Sequence, residues 1–391
     1  MSDLKIGVIG SGGRGKYLGG LAHMPGSDAR IVACCDVIPD VLKNNRRAYG
    51  KDIFVTDDYR KLLECELDAV IIGSPDYLHE EQAVATLERG LALYLEKPMA
   101  ITISGCDRIL RAAQKTGARL YVGHNMRHLP IVRKMRELVE HGAIGEVKAC
   151  WVRHFVGNGG DFYFRDWHAD RRYTHGLLLQ KAVHDLDVIH WICGGFTREV
   201  SAMGALTVYG NIKDRLSPIS GPRHMEGPAL RPEMWPAKKQ RDLNHRIDVE
   251  DLSQVIMRLD NGVLAEYSQC HYTPDYWRNF TVIGTEGRME NFGDLGSATL
   301  RLWTRRRTGY WPRGDANFTF SAKGYGHGGS DRAIMDEFLR FVRKGGTTET
   351  SPLAARESVA TGYTATESLR AGGKLMKVPP FRPKAAASKK R

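Results

Sequence analysis

An apolar run that ends in three spaced glycines constrains this chain more than any other stretch. Leu4-Lys5-Ile6-Gly7-Val8-Ile9 has the length and composition of a strand. It leads into Gly10-Ser11-Gly12-Gly13-Arg14-Gly15, with a helix-like segment behind. Gly10 turns the chain tightly, Gly12 lets the backbone approach an anion, and Gly15 lets the helix pack on its strand. Gly13 and Arg14 complete the turn at the helix N-terminus, where unpaired N–H groups attract negative charge. Such a motif arises by chance in a chain with 42 glycines among 391 residues, so its context decides. A second apolar run, 29–35, ends at Asp36, 21 residues beyond Gly15. A carboxylate at about that separation is what the ribose hydroxyls of a dinucleotide require.

Strand and helix patterns then alternate up to residue 123, with the buried run Ala69-Val70-Ile71-Ile72 in the middle. That alternation predicts an α/β Rossmann domain, a doubly wound parallel sheet, over residues 1–125. Ligands of such sheets lie at the carboxyl ends of the strands, which singles out the loops at Ser74-Pro75, Glu96-Lys97-Pro98 and His124-Asn125.

From residue 126 the pattern changes. A helix is predicted over 131–141, a strand over 147–155, a loop rich in glycine and aromatics, and one continuous helix over 177–193. Strands follow at 199–208, 252–259, 263–272, 279–283, 288–291 and 298–303, with hairpin turns at Asp260-Asn261-Gly262 and Gly284-Thr285-Glu286-Gly287. Two helices, 331–344 and 352–372, close the pattern. The expectation for 126–376 is a C-terminal α+β domain with a large, mostly antiparallel sheet, serving substrate binding and oligomerisation. The segment 209–248, rich in Pro, Gly and Arg, reads as a surface excursion, and 377–391 as a basic, flexible tail.

No run of 18 apolar residues is present, and Met1-Ser2-Asp3 leads straight into the first strand, so neither a transmembrane helix nor a secretory leader is expected and the reading is cytoplasmic. Seven cysteines, an odd number without any C-x-x-C pair, point to reduced buried thiols and to no metal site. The net charge of +12 suits anionic cofactors and substrates, and no nucleic-acid reading motif accompanies it.

With these residues assembled, the chain resembles the glucose–fructose oxidoreductase / inositol dehydrogenase / MocA family over nearly its whole length. The resemblance rests on Gly10–Gly15, Ser74-Pro75-Asp76-Tyr77-Leu78-His79, Glu96-Lys97-Pro98, Lys181-Ala182-Val183-His184-Asp185-Leu186-Asp187, the strand 251–259 and Gly284-Thr285-Glu286-Gly287-Arg288. It implies a two-domain, homo-oligomeric enzyme, dimer or tetramer, that binds NAD or NADP. Such an enzyme moves hydride to or from a sugar, glycoside or cyclitol hydroxyl. Many members carry Asp four residues before the catalytic His; Gln180 stands there in this chain, followed by Lys181.

Oxidising a secondary alcohol needs a base for the hydroxyl proton. His184 is the candidate, because an unperturbed imidazole titrates near ~6.5. Lys181, three residues earlier, would share its helix face, favour neutral His184 and hydrogen-bond the substrate oxygen. Lys97 ends a strand at the predicted crevice. The resemblance implies that it touches the hydroxyl and the nicotinamide, with Glu96 fixing the cofactor beside Ser74, Pro75 and His79. Asp36 favours NAD over NADP by repelling a 2′-phosphate. Substrate contacts are expected from Asn125, Arg127, Tyr163, Arg165, Trp167, His168 and His327, whose aromatic and cationic groups suit a polyhydroxylated ring. Two other readings stand beside this one: an NAD-dependent glycosidase acting by transient ring oxidation and elimination, and a non-catalytic dinucleotide sensor.

Overall fold

A computed structural model describes residues 3–157, 160–225, 227–321 and 329–383. The chain forms two compact units. One comprises Met1–His124, Arg332–Glu357 and the residues from Pro379, and the other Asn125–Asp331 and Ser358–Val378.

The first unit is built on strands β1 (Leu4–Ile9), β2 (Ala29–Cys35), β3 (Phe54–Thr56), β4 (Ala69–Ile72), β5 (Ala92–Leu95) and β6 (Leu120–Val122). All pair in parallel, in the order β3-β2-β1-β4-β5-β6. Strand order reverses between β1 and β4, and ligands of doubly wound sheets bind at such a switch point. The strands are near-continuous apolar runs because helices cover both faces; β4 is buried along its whole length.

The helix Ser330–Lys344 belongs with this sheet, although the sequence pattern assigns 126–376 to the other domain. Its residues Ile334, Met335, Phe338, Leu339 and Val342 join Ile6, Val8, Ile71, Tyr94 and Tyr121 in one apolar core. Tyr121 donates its hydroxyl to Glu337 at 2.6 Å. An amphipathic stripe specifies that a helix face is buried, but not which sheet buries it.

The second unit contains β7 (Val147–Val156), β8 (Thr197–Ala205), β9 (Leu252–Leu259), β10 (Leu264–Cys270), β11 (Tyr276–Gly284), β12 (Arg288–Phe292), β13 (Ser297–Trp303), β14 (Ala316–Ser321) and β15 (Met376–Lys377). They form a nine-stranded sheet in the order β14-β13-β12-β11-β7-β10-β9-β8-β15. Every pair is antiparallel except β7 with β10. Side chains alternate along β7 from Cys150 onward, after a break in the pattern at Lys148 and Ala149. Cys150, Val152, His154 and Val156 are buried, while Lys148, Trp151 and Arg153 face solvent.

Three sequence expectations change here. The helix predicted over 177–193 is two helices, Leu177–Gln180 and Val183–Cys193. At the break the Ala182 N–H reaches back five residues to the Leu177 carbonyl at 3.1 Å, a wide turn of the π type. The 209–248 segment is more than a surface excursion, because Tyr209, Ile212, Ala237 and Leu243 pack with Phe164, Leu177 and Val249 in an apolar cluster of their own. Residues assigned to the basic tail are partly tied down: Lys377 extends β15, and the Val378 N–H donates to the Arg198 carbonyl at 2.9 Å.

Candidate active site

In the parallel-sheet unit the glycine turn has the shape its sequence calls for. Gly10 has φ +72°, and a Cβ there would lie 2.4 Å from the Ser74 backbone nitrogen. A Cβ on Gly15 would lie 2.1 Å from the Gly10 carbonyl oxygen, so only glycine permits this approach of helix to strand. The helix Gly13–Ala22 begins without a side-chain cap and without an acidic residue in its first turn. A Cβ on Gly13 would meet nothing within 4 Å. An uncapped N-terminus opening onto clear space is the cradle that a pyrophosphate requires. The Gly12 N–H donates to Asp36 Oδ2 at 2.9 Å, and the Ile38 N–H to Oδ1 at 3.1 Å, which hold this carboxylate beside the turn at the end of β2. The residues present therefore fit a dinucleotide.

The loop after β5 is fixed by a buried carboxylate. Glu96 accepts from Arg14 Nε at 2.8 Å, from the Tyr94 hydroxyl at 3.3 Å and from the Lys97 N–H at 3.1 Å. Arg14 and Glu96 thus join the glycine turn to the Glu96-Lys97-Pro98 loop, and Lys97 stays half-buried at the C-terminal end of β5. His79 ties this loop to the one after β4. Its ring is fully buried, with Nδ1 2.8 Å from the Pro98 carbonyl oxygen and Nε2 2.9 Å from that of Ser74. The ring thus ties the two loops together through both nitrogens, while burial pushes its imidazole below its ordinary value. Ser74 donates its hydroxyl to Gln82 Oε1 at 2.6 Å.

In the second unit His184 lies in the first turn of the helix Val183–Cys193 and is nearly buried. Lys181 lies in the break before that helix, so the two residues do not share one continuous helix face as their spacing suggests. Lys181 is half-buried, with Nζ 5.8 Å from the centre of the Tyr163 ring. Burial pushes its amine down to about 8, and Arg278 deepens the shift.

Under this break lies a network that sequence patterns do not reveal. Asp185 Oδ2 accepts from His154 Nδ1 at 2.9 Å and from the Tyr267 hydroxyl at 3.0 Å, while Oδ1 lies 2.8 Å from Arg278 Nε. Arg278 also donates to Asp294 at 2.9 Å, and Tyr276 donates to the same carboxylate at 2.8 Å. His154 is fully buried, and its imidazole is pushed down to about 3 by burial and by the Arg278 charge. Burial alone would raise the Asp185 carboxyl, but Arg278 and His154 hold it below the usual carboxylate range. The only sequence signal for this network is strand register: His154 of β7 pairs with Gln269 of β10 and Arg278 of β11, inside one buried row.

The residues expected to contact substrate divide into two sets. Tyr163 reaches Lys181 and also meets His168 and His271 edge-on, with ring centres 5.2 and 5.3 Å away. Arg127 and Arg165 are instead buried and already engaged. Arg127 pairs with both oxygens of Asp187 at 2.7 and 2.6 Å. Arg165 reaches Asp161 at 3.1 Å and the carbonyls of Pro228 and Ala229 at 2.8 and 2.9 Å. Trp167 and His168 stack on each other 3.7 Å apart, and Asn125 donates to Asp331 at 2.9 Å. Internal partners hold these five side chains, and desolvating an ion pair without them is costly. His327 lies outside the described residues. Among the described residues no cluster of His, Cys, Asp or Glu could hold a metal ion, and no helix is long and apolar enough to cross a membrane.

Comparison with known proteins agrees with this division of the chain. Residues 4–124 match the family model described as an oxidoreductase family with an NAD-binding Rossmann fold, and residues 132–290 match the GFO/IDH/MocA C-terminal domain. The chain is 29% identical over 318 residues to an inositol 2-dehydrogenase/D-chiro-inositol 3-dehydrogenase of Shouchella clausii, covering 78% of this chain and 79% of that protein. It is 31% identical over 207 residues to the 2,7-anhydro-N-acetylneuraminate hydratase of Mediterraneibacter gnavus, covering 52% and 53%. Among solved structures, a levoglucosan dehydrogenase in complex with NADH and levoglucosan superposes with a TM-score of 0.76 at 21% identity, over 97% of this chain and 100% of that one.

Proposed function

Since the chain belongs to the GFO/IDH/MocA family of NAD-binding oxidoreductases, we propose that it is a dehydrogenase of a secondary hydroxyl on a sugar, glycoside or cyclitol. The observation that carries this reading is the Lys97 loop, locked through Glu96 and Arg14 to the uncapped helix N-terminus at the carboxyl edge of a parallel sheet. A protein that only senses the dinucleotide has no use for an amine held there. The inositol dehydrogenase named above supports the same substrate class.

In this reading the Gly10–Gly15 turn and the N–H groups of the following helix hold the pyrophosphate, and Asp36 takes the ribose hydroxyls. Ser74, Pro75 and Glu96 shape the cofactor site. When bound, NAD supplies the hydride acceptor or donor. Lys97 hydrogen-bonds the substrate hydroxyl, His184 takes its proton, and Lys181 donates to the same oxygen. Oxidation breaks one O–H and one C–H bond; the proton leaves with His184 and the hydride with the cofactor, giving a ketone.

The test is absorbance in the NADH band on mixing the protein and NAD with a panel of sugars, glycosides and cyclitols. Reduction by at least one compound is expected, and none with any of them overturns the reading. Release of an aglycone without net NADH would identify the glycosidase chemistry instead.

Cofactor choice is tested separately. An Asp36→Ser variant is expected to narrow the preference for NADH over NADPH by about tenfold, because like-charge repulsion of the 2′-phosphate is removed. Fluorescence titration of both dinucleotides reads the ratio. An unchanged ratio would leave Asp36 only its bonds to the Gly12 and Ile38 N–H groups. The outer face of the nine-stranded sheet exposes Trp151, Met203, Ile256 and Leu264, and self-association through that face would cover this apolar surface.

A further inference from the structure

We propose that Arg278 is a positioning residue: by engaging both nearby carboxylates it keeps Lys181 out of an internal ion pair and available to the substrate oxygen. The inference rests on the dehydrogenase reading for its substrate, but not for its geometry. Asp185 follows Lys181 by four residues, a spacing at which a lysine and an aspartate on one helix would pair. They do not pair here. Among the described residues no carboxylate lies within 4 Å of Lys181 Nζ, which sits 5.8 Å from the centre of the Tyr163 ring.

The reason is the competition below it. Asp185 is held by Arg278, His154 and Tyr267, and Asp294 by Arg278 and Tyr276. Arg278 reaches both carboxylates at once, its Nε in an ion pair 2.8 Å from Asp185 Oδ1 and its Nη1 donating to Asp294 at 2.9 Å, a span that a single ammonium cannot match. The helix break moves Lys181 off the Asp185 face at the same time.

The titratable and charged groups of the network around Lys181 come from several elements. Arg278 and Tyr276 come from β11, Asp294 from the turn after β12, and His154 from β7. Tyr267 and His271 come from β10 and its end, Asp185 and His184 from the helix Val183–Cys193, and Tyr163 from the helix Phe162–Arg165. Of these, Arg278 favours the neutral amine, while Asp185 and Asp294 favour its charge. In the window from about 8 to 10.5 the unfolded chain binds more protons at this amine than the folded one, so stability rises with pH there.

The experiment is competitive acetylation of the full-length protein with trace acetic anhydride across pH 6–11, with the Lys181 peptide quantified by mass spectrometry. Wild type is expected to titrate about two units below an ordinary lysine. Arg278→Met should raise that midpoint by about one unit, Asp294→Asn should lower it, and Arg278→Lys should keep it low because the charge is retained. Opposite shifts cannot come from simple loosening, which returns the lysine to its ordinary value in every variant. Where Arg278→Met does not fold, Asp294→Asn decides alone, since it keeps the shape and an acceptor for Arg278. A wild-type midpoint at the ordinary value, or an Asp294→Asn midpoint unchanged or raised, overturns the proposal. Labelling needs no turnover. If it behaves as expected while no hydroxyl compound is oxidised, the dehydrogenase reading fails and the role of Arg278 stands.

Discussion

An Arg127→Met variant is expected to lose about 3–5 kcal/mol of unfolding free energy, and an Arg127→Met/Asp187→Leu variant to recover most of that loss. Both partners are almost fully buried, and the guanidinium meets the two carboxylate oxygens at 2.7 and 2.6 Å. Removing the arginine alone leaves an aspartate charge in a dry interior, where its desolvation has no compensation. Removing both charges together takes that penalty away. Urea unfolding of the single and double variants reads the effect. A single-variant loss under about 1 kcal/mol would mean that water reaches the pair and screens it. The pair also bears on the site. Arg127 precedes the helix Pro130–Glu140, Asp187 lies three residues after His184, and the guanidinium sits 5.4 Å from the Trp191 ring, also on His184's helix. The ion pair therefore holds the helix that carries the candidate base, a part quite different from the substrate contact that its sequence position suggests.

That contrast separates what the sequence discloses from what it conceals. Gly10, Gly15 and Asp36 are legible because each answers a demand of its own backbone neighbourhood. A positive φ, a close approach of helix to strand, and a carboxylate at the end of β2 are all set within a few dozen residues. The parallel sheet is legible for the same reason, since its strands and helices alternate along the chain. Arg278, Asp294 and His154 are not, because what joins them to Asp185 is the register of β7 against β11 and the fall of one helix over both strands. A one-residue slip would turn His154 and Arg278 to the other face. Arg127 and Arg165 misdirect for a related reason. An arginine in a loop reads as a ligand contact unless the carboxylate that claims it is known, and here Asp187 lies 60 residues away. The break at Lys181 is hidden as well, because nothing in Leu-Leu-Leu-Gln-Lys-Ala-Val-His forbids a continuous helix. It is a choice made by tertiary packing.

The other large effect expected is on turnover. Lys97→Met and His184→Asn should each lower kcat by about 10² to 10⁴, the usual range for a positioned proton-transfer group, while NADH binds within a few-fold of wild type. Their environments make the variants readable. Glu96 is engaged by Arg14, Tyr94 and the Lys97 backbone N–H, so loss of the Lys97 side chain leaves none of these contacts unmade. Asp185, the residue next to His184, keeps its hold on the sheet through His154, Tyr267 and Arg278, so the helix stays anchored when the imidazole is replaced. Stopped-flow absorbance with a substrate found in the panel gives the rates, and fluorescence titration gives the binding. The double variant carries the sharper information. Groups that serve one proton-coupled hydride transfer are strongly non-additive, so Lys97→Met/His184→Asn should be scarcely slower than the slower single variant. Losses that multiply would assign the two residues to separate steps. A Lys97→Met enzyme that turns over at the wild-type rate would remove the lysine from the chemistry altogether and revive the reading of a dinucleotide sensor.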